Sequence, residues 1–169
     1  SKTENQKVSD HLKEFLTDFS IEVMPRTAAK IESFKEILPK NTRVYIAHIE
    51  GVPIDEMVQT AKRISSEGFN VMPHFPARII KDKSTLEEWI NIYQGEAGIN
   101  QALLLAGGVN KPHGVFESSM QLVETELFEK YNFKNLHFAG HPEGNKDIDK
   151  GGSNKNVDAA LLWKQKFNE

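Results

Sequence analysis

Five short apolar segments of the sequence each carry or end in residues that could do chemistry. Glutamate and histidine can transfer protons or bind a metal ion, and adjacent glycines let the backbone approach a ligand closely. One such residue in an apolar strand is more often structural than catalytic, but five successive segments favour a shared site. The residues are Glu22, His48, Glu50, His74, Gly107, Gly108, His141 and Glu143.

Glu22 is the most informative of these residues because it interrupts the apolar segment SIEVMP. A carboxylate in an apolar strand must be hydrogen-bonded or paired, or else its neutral form is favoured, which suits it to proton donation. A buried anchor for a neighbouring loop is the competing interpretation. The sequence predicts a buried or partnered glutamate and leaves both roles open.

The histidines suggest two further kinds of site. His48, His74 and His141 could converge with a carboxylate on a divalent metal ion, although no HxH or HExxH spacing is present. Three histidines from different strands could equally hydrogen-bond an organic ligand. The Gly107-Gly108 pair belongs to neither a GxGxxG motif nor a phosphate loop.

Strands must position these residues, and the sequence alternates short apolar segments with amphipathic ones. This alternation predicts an α/β fold with five βα units and a parallel sheet. The predicted strands lie in SIEVMP, RVYIAHI, FNVMPHFPA, QALLLAGG and LHFAGHPEG. Two architectures remain open, a five-stranded doubly wound sheet and the first five units of a (β/α)8 TIM-type barrel, and both bind ligands at the carboxyl ends of the strands.

Apolar residues at helical spacing predict a helix before the first strand and one after each strand. Ser118 is the expected N-cap of the helix after the fourth strand, and Gly68 the expected left-handed residue after the second. The polar, glycine-rich segment 146–156 is predicted to be a functional or mobile loop. The predicted helices span about residues 8–19, 31–38, 54–64, 86–93, 120–127 and 160–167.

Composition excludes several classes of protein. The 169 residues suit one domain, 1–169, or part of a larger one. Their net charge of −3 does not indicate the excess of positive charge that binding of nucleic acid or anionic lipid requires. The absence of cysteine excludes disulfides and thiolate chemistry. With no long apolar segment and no signal-peptide pattern, we expect a soluble, cytoplasmic protein without membrane or nucleic-acid partners.

From about Ser20 onward the sequence resembles the methylenetetrahydrofolate reductase family. IEVMPRT is similar to the family's first-strand motif, FEFFPP followed by a basic residue and threonine, and VMPHFPA resembles its third-strand PHLTC motif. LLLAGGVNKP resembles the fourth-strand motif ALRGDxP, and FAGHPEGN the fifth-strand motif AAYPExH. LLWKQKF resembles the family's LxxKxxAGA region.

The resemblance implies a catalytic (β/α)8 barrel that binds FAD and reduces methylenetetrahydrofolate to methyltetrahydrofolate, with NADH or NADPH as the reductant. It places Glu22 on the glutamate that acts as general acid when the five-membered ring of the folate opens. The protein would then be a flavoprotein of one-carbon metabolism with a folate substrate. The implied cofactor-binding residues are His74, Ala106, Gly107, Gly108, His141, Asn145 and Lys166.

The sequence departs from the family pattern at the fourth and fifth strands. Ala106-Gly107-Gly108 stands where the family has Arg-Gly-Asp, so the arginine and aspartate that contact flavin and folate are missing. His141 replaces a tyrosine and Asn145 a histidine. Loss of the aspartate removes a negative charge near the reacting groups, where electrostatics matter most.

Only about five of the eight barrel units are present, which leaves three possibilities for the rest of the sheet. We expect the chain to be the N-terminal part of a longer protein. The other two possibilities are completion by association as a homo-oligomer and folding as an open sheet. Two alternatives to the reductase remain. One is a folate- or flavin-binding protein without reductase activity, and the other is a metal-dependent hydrolase on a barrel scaffold that uses His48, His74, His141 and Glu22.

Overall fold

Strands and helices alternate along the chain in the computed structural model, which describes residues 3–8, 20–140 and 146–149. The strands of these ranges are β1 (Ser20–Val23), β2 (Arg43–Ile46), β3 (Asn70–Pro76), β4 (Gln101–Leu105), β5 (Asn135–Phe138) and β6 (Lys146–Asp149). The α-helices are α1 (3–8), α2 (Pro25–Ala28), α3 (Ile54–Ser66), α4 (Lys83–Ala97), α5 (Ser119–Glu124) and α6 (Leu127–Lys130). Short 3₁₀ turns lie at Phe34–Glu36 and Ala77–Ile79.

The strands form one sheet in the order in which they occur along the chain, β1-β2-β3-β4-β5-β6. Strands β1 to β5 run parallel to one another, which confirms the predicted α/β class with a parallel sheet. A doubly wound sheet reverses its strand order near the middle. The five parallel strands show no such reversal, so their order differs from the doubly wound alternative.

Strand β6 corrects the prediction of a polar loop over 146–156. Residues 146–149 of that segment pair antiparallel with β5, with Phe138 opposite Lys146. A parallel strand at the edge of a sheet presents unpaired N–H and C=O groups, which the chain that follows can satisfy by turning back. This pairing is a tertiary effect that the polar sequence of the segment does not indicate.

The two faces of the sheet differ in chemistry because successive side chains of a strand point to opposite sides. One face packs on the helices and forms the apolar core. The other, which we call the site face, carries Glu22, Tyr45, His74, Leu103 and His137. The core face carries Val44, Ile46, Val71, Phe75, Ala102, Leu104, Leu136 and Phe138.

Helices α3 and α4 confirm the predictions for these segments. Helix α3 buries Met57, Val58, Ala61 and Ile64 against the sheet, and Gly68 follows it with a φ of +96°. Helix α4 begins after Asp82, whose side chain accepts a 2.8 Å hydrogen bond from the backbone N–H of Thr85. It ends at Gly98 in the left-handed conformation, and its buried face includes Trp89 and Tyr93.

The helix predicted over 31–38 is wrong. After α2, this segment forms only the 3₁₀ turn Phe34–Glu36, and Ile37 is exposed. The Arg63 guanidinium of α3 donates to backbone carbonyls of this connection, at 2.8 Å to that of Ala28, and a Glu67 carboxylate oxygen accepts from the Phe34 N–H at 2.9 Å. These contacts from α3 satisfy backbone groups that a helix would otherwise pair internally.

The segment predicted as one helix over 120–127 is divided between α5 and α6. The break lies at Glu126, which has a φ of +64° that ends helical geometry. Ser118 precedes α5 as predicted, and its backbone N–H donates to Gln121 Oε1. Leu122 and Leu127 reach the core, and Met120 is only partly buried.

Two predicted helices fall largely or wholly outside the described residues. Only residue 8 of the predicted helix 8–19 is described, at the end of α1, and the predicted helix 160–167 is not described at all. Among the helices of the described ranges, none combines the length and the apolar character needed to cross a bilayer.

Candidate functional site

Four titratable side chains from four strands lie together on the site face. Glu22 of β1 is the register partner of Tyr45 of β2, and Leu103 of β4 lies between its partners His74 of β3 and His137 of β5. The Glu22 Oε1 atom is 3.4 Å from His74 Nε2, and the Tyr45 hydroxyl is 2.9 Å from His137 Nδ1. The Tyr45 ring centroid lies 6.3 Å from that of His74 and 6.2 Å from that of His137.

The contact between Tyr45 and His137 requires a curved sheet. These residues belong to β2 and β5, so two strands separate them. Adjacent strands are about 4.8 Å apart, and three such intervals would span about 14 Å across a flat sheet with side chains that stand roughly parallel. A 2.9 Å separation of the side-chain tips therefore means that the site face is concave.

The pair of Glu22 and His74 combines an exposed carboxylate with a buried imidazole. The Glu22 side chain is 60% exposed and that of His74 only 10%. Of the two states expected for Glu22, buried or partnered, the structure does not show the buried one, because the side chain is largely exposed on the site face. The expectation of a partner is confirmed by the 3.4 Å approach to His74.

His74 is a neutral imidazole near pH 7. Burial lowers its pKa below the ordinary value, and the neighbouring Glu22 carboxylate offsets part of that effect. Its buried Nε2 atom lies 3.4 Å from Glu22 Oε1, but this contact does not have hydrogen-bond geometry, and the atom makes no hydrogen bond among the described residues. A polar ligand on the site face would supply the missing partner, since buried polar atoms are nearly always hydrogen-bonded.

His48 lies against a helix rather than with the Glu22 pair. Its ring stacks on Trp89 of α4, with centroids 4.4 Å apart and an interplanar angle of 20°. Burial, with a smaller contribution from the neighbouring His74, lowers the pKa of His48 to about 4. The described residues include no group of three or more side chains that could hold a metal ion. The fourth residue of the hydrolase alternative, His141, lies outside them.

The segment after β4 is shaped by close backbone packing. Gly107 has a φ of +101°, and a Cβ atom there would lie 3.2 Å from Pro76 Cβ. The neighbouring Ala106 carbonyl accepts a 2.8 Å hydrogen bond from the Arg78 N–H. Gly108 is exposed, and a Cβ on it would meet nothing within 4 Å. Gly107 therefore has a structural reason to be glycine, and Gly108 leaves open surface beside the strand end.

Arg78 and a contact between His113 and Glu50 hold the loop after β4 over the strand ends. The Arg78 guanidinium donates to the backbone carbonyls of Asn110 and Glu117, at 3.1 and 3.0 Å. His113 Nε2 of this loop is 2.8 Å from Glu50 Oε2, in the segment after β2. The loop thus joins the carboxyl ends of β2, β3 and β4, where ligands of parallel sheets bind.

The sequence pattern predicts only part of this cluster. It indicates Glu22 and His74, which lie together, but Tyr45 and His137 are not among the predicted site residues. Their signal was the period-two alternation of VYI and LHF, which places the polar residue opposite two core residues. The remaining predicted site residues, His141, Glu143, Asn145 and Lys166, lie outside the described residues.

The arrangement offers a proton donor or acceptor, neutral hydrogen-bonding rings and a concave surface. Those features suit a site that binds an organic ligand and transfers a proton to it. Comparison of the chain with models of known protein families gives no match.

Proposed function

We propose that the chain is the N-terminal part of a (β/α)8 barrel similar to methylenetetrahydrofolate reductase, and that it acts as a flavin-dependent, folate-linked oxidoreductase. The observation that carries this proposal is the 3.4 Å approach of the Glu22 carboxylate to the neutral His74 on the concave face of a parallel sheet. These residues occupy the positions that the resemblance assigns to the general acid and to a flavin contact.

Sequential strand order and curvature support the barrel. Five parallel strands follow one another without reversal, as in the first part of a (β/α)8 barrel. The Tyr45–His137 contact curls the sheet in the sense needed for closure. Further strands of a longer protein, or a second copy of the chain, would complete the barrel.

We propose that FAD binds at His74, whose buried Nε2 makes no hydrogen bond among the described residues. Open space at Gly108, after β4, supports this proposal. Bound FAD, reduced by NADH or NADPH, would supply the hydride for reduction of the folate. The residues proposed to hold it are His74, Ala106, Gly107 and Gly108, with His141, Asn145 and Lys166 outside the described residues.

Glu22 performs the proton transfer in this proposal. In this role Glu22 donates the proton that assists opening of the five-membered ring of the folate. His74, whose pKa is lowered by burial, lies 3.4 Å from Glu22 and does not compete with it as a second charge. We place this enzyme in the cytoplasm, with no membrane or nucleic-acid partner.

The test is Glu22→Gln, which keeps the shape and removes the proton. We expect FAD binding to stay within about twofold and folate turnover to fall by about a hundredfold or more. Glu88→Gln on the exposed face of α4 is the matched control and should behave as the unmodified protein. Unchanged turnover in Glu22→Gln would remove Glu22 from the mechanism.

A second candidate is a folate- or flavin-binding protein without reductase activity. The observation that favours it is the segment Ala106-Gly107-Gly108, which places no charged side chain beside the strand end. Binding of FAD and folate without turnover in the unmodified protein would distinguish this candidate from the reductase.

A further inference from the structure

An arginine that the proposed mechanism does not use lies on the site face, near the amino ends of the strands. Alternate residues of a strand share a face, so Arg43 of β2 lies on the same face as Tyr45, about 7 Å nearer the amino end. Its register partners are Ser20 of β1 and Asn70 of β3. Glu22 lies two residues after Ser20, so the arginine stands apart from the proposed catalytic pair.

The Arg43 guanidinium carries a positive charge that no side chain in the described part of the chain neutralises. Its Nε atom is buried without a hydrogen bond to any described residue, and it forms no ion pair with one. Both neighbours on the face, Ser20 and Asn70, are uncharged. A buried charge is costly unless an anion pairs with it. The residue as a whole is only partly buried, so an anion on the concave face can reach the guanidinium.

A row of amides beside Arg43 leaves one more donor without a partner. Gln101 Nε2 donates to Asn70 Oδ1, and Gln101 Oε1 accepts a 3.0 Å hydrogen bond from Asn135 Nδ2. These contacts hold the Asn70 amide with its oxygen toward β4. The Nδ2 group of the same amide therefore lies toward β2, where Arg43 is the register partner, and it makes no hydrogen bond with the described residues.

Two neighbouring groups on the concave face thus offer only N–H donors, and one of them is charged. Guanidinium groups bind phosphate and carboxylate through two parallel N–H···O bonds, and an amide N–H can donate to the same oxygens. We propose that Arg43 and Asn70 form a binding site for an oxyanion, the phosphate or carboxylate group of a small molecule, at the amino end of the site face. This site involves neither flavin nor folate, so it goes beyond the proposed function.

The experiment follows the melting temperature of the full chain while sodium phosphate replaces sodium chloride at constant ionic strength. A second series uses sodium acetate. A ligand that binds only the folded state raises the melting temperature as its concentration increases. We expect a saturable increase with at least one anion, and the anion with the higher affinity assigns the site to phosphate or to carboxylate groups. Phosphate also stabilises proteins because it is excluded from their surface, so each variant is compared at equal concentrations.

Arg43→Met removes the charge and should weaken the affinity for the anion by about tenfold or more, because hydrogen bonds to charged groups are the strong ones. In sodium chloride alone this variant should melt no lower than the unmodified protein, since an apolar side chain replaces an unpaired charge. Arg26→Met is the matched control. It removes the same charge from a side chain that is 78% exposed on α2, and the affinity should not change.

Asn70→Asp is the second variant, and it decides the question if Arg43→Met does not fold. The aspartate keeps an oxygen that accepts from Gln101 and places a carboxylate beside Arg43, in the position proposed for the anion. Its affinity for the added anion should fall at least tenfold, and its melting temperature in sodium chloride should rise.

Two results would overturn the inference. One is the lack of a saturable increase with either anion in the unmodified protein, and the other is an equal anion dependence in the unmodified protein, Arg43→Met and Asn70→Asp. Neither result bears on flavin or folate. A protein that binds the anion but neither FAD nor folate would refute the proposed function and leave the oxyanion site in place.

Discussion

The buried, neutral state of His48 makes the stability of the fold depend on pH. Its ring stacks on Trp89, and burial lowers its pKa from 6.5 to about 4. In the unfolded chain the same group titrates near its ordinary value. Between about pH 4 and 6.5 the unfolded state therefore binds more protons than the folded state, so stability rises with pH across this window.

The magnitude follows from the size of the shift. Each pKa unit corresponds to about 1.4 kcal/mol, and integration of the two titrations predicts a loss of about 2 kcal/mol between pH 7.5 and pH 5 from His48 alone. His48→Phe keeps a ring against Trp89 but cannot titrate. The variant should therefore lose about 2 kcal/mol less than the unmodified protein over the same interval.

Urea unfolding at the two pH values, followed by tryptophan fluorescence, measures this difference. His74, whose pKa is also lowered by burial, is present in both proteins and contributes to both curves. His48→Asn is the second comparison, since it removes titration and stacking together. The unfolding free energy of His48→Asn should depend on pH as weakly as that of His48→Phe, and at pH 7.5 it should be lower than that of His48→Phe. Equal pH dependence in all three proteins would refute the buried, neutral histidine.

Further predictions concern the loop after β4 and helix α4. Gly114→Ala should lower the unfolding free energy by about 1 to 3 kcal/mol, because its Cβ would lie 1.7 Å from the Lys81 carbonyl oxygen. Gly95 lies at an exposed position of α4, where an added Cβ meets nothing within 4 Å. Gly95→Ala should therefore raise the unfolding free energy by up to about 1 kcal/mol, which thermal melting can measure. Arg78→Met should speed limited proteolysis of the loop, because three backbone carbonyls lose their donor. Arg26→Met, at a side chain 78% exposed, should leave the cleavage rate unchanged.

The parallel sheet was predictable because its strands are apolar and its helices amphipathic, and both patterns are local. Helix α3 illustrates this, since its buried residues are the ones whose spacing predicted it. The segment 31–38 illustrates the limit. Its apolar spacing suits a helix, but the Arg63 guanidinium of α3 and the carboxylate of Glu67, which follows α3, bind its backbone in another conformation. No pattern within the segment indicates those partners.

The candidate site also contains residues whose proximity could be predicted from the sequence and residues whose proximity could not. Glu22 and His74 could be predicted to lie together because the carboxyl ends of parallel strands meet at one edge. The exposure of Glu22 could not, since the alternation of a strand does not show whether its second face is covered. Tyr45 and His137 were missed because their contact spans three strand intervals and depends on the curvature of the sheet.

The most direct test of the proposed function is the visible absorption spectrum of the purified native-length protein, followed by release and identification of any bound chromophore. We predict the spectrum of an oxidised flavin and the release of FAD, bound on the face that carries Glu22 and His74. A colourless protein that also takes up no added FAD would contradict the account and would assign this concave face to another ligand.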